Sequence, residues 1–120
     1  MSVGQFEERL AKVRHRFAGT LRSRVDDALS SFCKLTQDVP GAPENVDEAY
    51  RRIHSICGVA STVGFPSAGK SAREAEVALL APMRAKRGLT RAESAVLKKA
   101  LDALRRAAQA ELQIMYERGG

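Results

Sequence analysis

The sequence predicts an all-α domain, an up-down-up-down four-helix bundle formed as a single unit over residues 1–120. Three observations carry that expectation. Apolar side chains recur at steps of three and four along most of the chain, the spacing of one helix face. The composition is rich in Ala, Leu, Arg and Glu and lacks Trp, with two Tyr and four Phe, so the core must be aliphatic. Pro- and Gly-containing breaks divide the periodic stretches into four. A chain of 120 residues suits one domain with one modest core.

The first helix is expected over 2–37, where Phe6, Leu10, Val13, Phe17, Leu21, Val25, Ala28, Phe32 and Leu35 form one stripe. Gly19-Thr20 is a candidate kink within it, and "DVPGAPEN" (38–45) stops it with two prolines and a glycine. The second is expected over 45–64. Asn45 caps it, Glu48 reciprocates three residues later, and the stripe is Val46, Ala49, Ile53, Ile56, Ala60 and Val63. Gly64, ahead of Pro66, closes it as a structural residue.

The third helix, expected over 66–85, carries Ala68, Ala72, Ala75 and Leu79, small residues that admit a close neighbour. The fourth, over 90–118, opens on a capping box of Thr90 and Glu93 and buries Leu97, Leu101, Leu104, Ala108, Leu112 and Met115.

No apolar run approaches the ~20 residues that cross a bilayer, and the N-terminus lacks a signal-peptide core, so a cytoplasmic protein with no membrane partner is expected. Cys33 and Cys57 are too few for a disulfide framework and read as reduced thiols, Cys33 as a small buried hydrophobe. The net charge is +6, and residues 81–120 hold 9 basic and 4 acidic side chains. These charges are scattered at helical positions, as on a solvated face. A nucleic-acid adaptor is the rival, disfavoured because recognition-helix and aromatic stacking signatures are missing.

Attention falls on "IHSICGVASTVGF" (53–65), which holds His54, one of two histidines, with Gly58 and Gly64 four and ten residues on. His54 lies about 100° around the helix from the core position Ile53. Arg51, Cys57, Gly58 and Ser61 share its face, and most of these are small. Gly58 therefore has two readings. It clears access for another protein to the imidazole, or it allows close helix packing. His15, between Arg14 and Arg16, reads as a solvated surface residue, and Tyr50 as packing at the rim. His54 and Cys57 are only half of a metal site, and no second ligand pair exists, so no metal is expected.

"AYRRIHSICGVASTVGF" followed by "AGKSAREAE" resembles the histidine-containing phosphotransfer (HPt) domain, especially the version at the N-terminus of chemotaxis-type histidine kinases. His54, Ile56, Gly58 and Gly64 fall on the family pattern, and Glu76 falls where the chemotaxis-type version has a glutamate that hydrogen-bonds the imidazole. The resemblance implies a four-helix bundle that carries a phosphoryl group on His54, with Glu76 orienting the ring and Cys57, Gly58 and Ser61 lining the docking flank.

The implied partners are a response-regulator receiver domain and a histidine kinase. No cofactor is implied on this chain, and Mg²⁺ belongs to the receiver. The chain itself has no kinase domain, so it is read as a phosphoryl carrier rather than an enzyme, and as a monomer. One departure stands out. The family usually has lysine where this chain has Cys57. Arg51, Lys70 and Arg73 are the candidates to offset phosphoryl charge in its place, with Arg51 and Lys70 preferred; if none reaches, transfer is slow or the chain is a degenerate module that docks receivers unphosphorylated.

Overall fold

The computed structural model describes residues 2–118. Four helices account for it, α1 (Val3–Ser30), α2 (Ala42–Ala60), α3 (Pro66–Arg84) and α4 (Arg91–Glu117), with a short 3-10 turn at Phe32–Lys34. No strand occurs among the described residues, and the fold is an all-α four-helix bundle. α2 packs most extensively on α3 and α3 on α4, while α1 lies across α2 and α4. Leu21, Val25, Leu35, Val46, Ile53, Ile56, Leu79, Leu89, Leu97, Leu101 and Leu104 are fully buried, and Phe17 and Phe65 meet at 5.7 Å between ring centres. The core is aliphatic with one aromatic contact near its end.

α1 is shorter than the 2–37 expected. Ser30 and Ser31 hydroxyls donate back to the Asp27 and Ala28 carbonyls, hydrogen bonds that compete with helix propagation. Past the 3-10 turn, Thr36 pairs with Leu89 in a single bridge, Leu89 N donating to Leu35 O at 2.8 Å and Gln37 N to Leu89 O at 3.1 Å. Leu35 is thus buried by pairing with the α3–α4 loop. Cys33, on the 3-10 turn, is exposed, because the tighter winding rotates it off the stripe; it is not a buried hydrophobe. α1 runs on through Gly19-Thr20 without interruption.

The stripe on α1 is fully buried only from Phe17 onward, with Leu10 partly buried against the core. Phe6 is 58% and Val13 45% exposed. The last turn of α4 lies beside Arg14, Ala18 and Gly19, so the first two turns of α1 extend beyond its neighbour.

α2 begins three residues before the predicted start. Gly41, at φ +78°, is its N-cap and Pro43 stands in the first turn, where a missing N–H costs nothing. Asn45 does not cap. Its side-chain amide donates to Lys34 O at 3.1 Å, and Glu48 pairs with Arg52 at 2.7 Å. The regular helix ends at Ala60, but Val63 N still reaches Val59 O, and Phe65 N closes on Ala60 O at 2.8 Å. Gly64 sits inside that closure at φ +96°, the left-handed position of a Schellman turn. α1 ties this turn down, Arg14 Nε donating to Val63 O at 2.6 Å.

α3 has no side-chain cap of its own. Glu111 of α4 supplies one across the bundle, accepting from Ala68 N at 2.7 Å and Ser67 N at 3.1 Å. α4 starts on the reciprocal Thr90–Glu93 box, and Arg87 braces Glu93 at 2.7 Å. That guanidinium, with the Thr90 backbone donor, lowers the Glu93 carboxyl to about 2.

Candidate functional site

The closed hairpin of α2 and α3 determines which side chains meet. Ser61 sits in its turn, and Gly69 faces it from the first turns of α3. A Cβ on Gly69 would run into the Ser61 hydroxyl and lie 3.2 Å from its backbone nitrogen. Seven residues from each of these, two turns along both helices, stand His54 and Glu76.

There His54 Nδ1 lies 2.7 Å from Glu76 Oε1. The imidazole is 64% exposed and the carboxylate 7%, so the pair joins an accessible ring to a buried acid. With Nδ1 as donor, the ring is fixed in the tautomer that leaves a lone pair on Nε2.

Glu76 is the one charged residue in the core among the described residues. Burial pushes its carboxyl up, but hydrogen bonding to His54, the Cys57 thiol alongside, imidazole charge and the Tyr50 hydroxyl outweigh this and hold it below the usual range. Oε1 accepts a second hydrogen bond from the Tyr50 hydroxyl at 3.2 Å. Oε2 is buried without a hydrogen-bond partner, the nearest cation being Arg73 Nη1 at 3.7 Å.

The three candidate cations separate. Arg73, 68% exposed, reaches the Glu76 carboxylate and also acts on Cys57. Arg51 turns the other way, lining a groove of about 450 Å³ between α1 and α2 with Arg24, Arg52 and Ser55. Lys70 is exposed on α3 and makes no ion pair among the described residues. Cys57 is half-buried; burial and the carboxylate of Glu76 push its thiol up, so it is neutral at physiological pH and not an activated nucleophile.

Gly58 is exposed, and a Cβ placed there would meet nothing within 4 Å. Helix packing therefore does not account for this glycine. Ser61 is exposed beside the hairpin contact, two turns from His54, and Gly64 is part of the turn. His15 is exposed on α1. No group of three or more His, Cys, Asp or Glu among the described residues is arranged to hold a metal, and no described helix is long and apolar enough to cross a membrane.

Tyr50 is not simple rim packing. Its ring stacks on His54 at 5.9 Å between centres and 10° between planes, and its hydroxyl meets the same carboxylate oxygen as Nδ1. The i, i+4 spacing to His54 signals the stacking; the hydroxyl contact depends on α3 and has no local signature.

A four-helix bundle that presents an exposed histidine, backed by a buried carboxylate from the next helix, is a helical histidine module. The sequence model of the Hpt domain matches residues 6–107, and the chain belongs to that family, whose business is histidine phosphotransfer in two-component signalling. Hpt domains are carriers rather than kinases, and they interact with receiver domains and histidine kinases in phosphorelays. No curated protein and no solved structure matches the chain.

Proposed function

We propose that His54 is the phosphoacceptor, charged by the aspartyl phosphate of a receiver domain and discharged to another, or loaded by a histidine kinase. The observation that carries the reading is the 2.7 Å contact between Nδ1 of an exposed ring and a buried carboxylate.

The Nε2 lone pair attacks phosphorus in line. The Nε2–P bond forms as the P–O bond to the donor carboxylate breaks, and that carboxylate leaves with the electron pair. The proton stays on Nδ1, so the ring becomes cationic. Glu76 stabilises that charge where water is excluded, as the acid behind a catalytic histidine does elsewhere. Transfer onward reverses these steps.

Arg73 takes the part that lysine usually plays at the position of Cys57. It stands nearest the pair, and the unpartnered Oε2 holds it close without a tight bond. A guanidinium so held is free to turn toward phosphoryl oxygens. Gly58 and Ser61 lie on the flank where a receiver would seat, which favours a short-lived encounter of modest area. Mg²⁺ stays with the receiver's aspartate. The glutamate offset favours a likeness to the chemotaxis-type version of the domain.

The test is transfer from a panel of phosphorylated receiver domains to the native chain and to His54→Gln. Acid-labile label on the native chain alone, returned to unphosphorylated receiver, supports the reading. Binding without label supports the docking module, and label on both chains removes His54 from its role.

A further inference from the structure

We propose that Tyr50 is a positioning residue for His54, stacking on the imidazole while its hydroxyl shares the Glu76 oxygen that holds Nδ1. The proposal rests on the reading of His54 as phosphoacceptor and adds a control on its basicity.

The geometry asks more of this side chain than packing. A phenylalanine would fill the same half-buried place and stack equally well, yet the hydroxyl is set 3.2 Å from Oε1. Burial, with Glu76 alongside, pushes the phenol up, so it remains a donor across the physiological range. Oε1 thus receives two donors from one helix, four residues apart.

Two consequences follow. Stacking limits rotation of an otherwise exposed ring, so Nε2 keeps one direction of approach. Sharing the oxygen weakens its pull on the Nδ1 proton. A carboxylate that spent its whole acceptor strength on the imidazole would favour the cationic ring, which has no lone pair for phosphorus. The hydroxyl moderates that preference by occupying part of the same oxygen.

The other groups facing the pair are known. Arg73 approaches from α3 and Cys57 from α2, the charge of Arg84 on α3 acts on the Tyr50 hydroxyl, and no side chain of α1 or α4 hydrogen-bonds or ion-pairs with the pair among the described residues. Removing the hydroxyl leaves this set in place.

The experiment compares the native chain, Tyr50→Phe and Tyr50→Leu by ¹⁵N NMR of the His54 ring nitrogens across pH, with thermal unfolding as the control for folding. In Tyr50→Phe the ring is expected to take up its second proton at a pH higher by about half a unit, with the Nδ1–H tautomer retained. Labelling by phosphoramidate should then fall about threefold on the acid limb of its pH profile and recover at alkaline pH. Tyr50→Leu should show the same displacement and a mixed tautomer.

Superimposable pH courses for the native chain and Tyr50→Phe would overturn the proposal, and Tyr50→Phe carries the test if Tyr50→Leu does not fold. The NMR readout needs no phosphate. Absence of acid-labile label on the native chain therefore overturns the phosphoacceptor reading separately.

Discussion

Replacing Glu76 by glutamine separates orientation of the ring from stabilisation of its charge. Glutamine keeps the shape and an amide oxygen able to accept from Nδ1, so the tautomer and the fold should survive. What disappears is the negative charge behind a ring that becomes cationic as the Nε2–P bond forms. In the native chain that charge is delivered at 2.7 Å from a side chain 7% exposed. Hydrogen bonds to charged groups contribute about 1.5–3 kcal/mol, against roughly 1 for neutral ones. If most of that difference, about 0.5–2 kcal/mol, is felt in the transition state, labelling should slow roughly 2- to 30-fold. The assay is the initial rate of phosphoramidate labelling at alkaline pH, where the neutral ring dominates in both chains. A small donor removes docking from the comparison. A rate within twofold of native would refute the argument and leave Glu76 as a structural residue. Loss of helical signal in Glu76→Gln would instead mean that the buried carboxylate is needed for folding, a result that Glu76→Leu would distinguish by restoring stability.

Gly58→Ala should move stability and function in opposite directions. With open space at its Cβ position, alanine should raise stability by up to about 1 kcal/mol in thermal unfolding, while transfer from receiver domains slows and phosphoramidate labelling does not. Gly88→Ala should be destabilised by about 1–3 kcal/mol, since its Cβ would lie 2.8 Å from the Gln37 backbone and 2.9 Å from the Ala42 Cβ; urea unfolding reads this directly. The Glu93 carboxyl, lowered from 4.5 to about 2 in the folded chain, should contribute stability above the unfolded value. That contribution is lost as pH falls from about 4.5 to 2. Discounted because the Arg87 partner is 37% exposed, it amounts to about 1–2 kcal/mol, measured as the difference between native and Glu93→Gln at pH 6 that closes by pH 2.

The helix faces were legible because burial repeats with the helical period. Ile53, Ile56, Leu97, Leu101 and Leu104 occupy the positions that periodicity assigns to the core. The Thr90–Glu93 cap was legible for a related reason, being a contact between residues three apart. Contacts between helices were not. The hydroxyl of Tyr50 gains its meaning only from the rotation of α3, and Glu111 finds the start of α3 from a position 43 residues away. One clue to the second was present, since "GFPSAG" opens a helix without Ser, Thr, Asp or Asn at the cap position and so leaves donors to be satisfied from elsewhere. The early end of α1 was hidden because Phe32 and Leu35 continue the apolar spacing after the hydrogen bonding has changed. Periodicity registers which side chains need cover and says nothing of what covers them.

The contact between Gly69 and Ser61 has a meaning beyond the turn it closes. It lies about 10 Å along both helices from the Nδ1–Oε1 bond. Two helices packed along their length and closed by a tight joint must shift against each other when a wedge is set at that joint. A hydrogen bond does not survive stretching by one ångström. The missing methyl at Gly69 is therefore a spacer of zero thickness that calibrates the reach of an acid two turns away. Residues at such a joint can detune the histidine without approaching it.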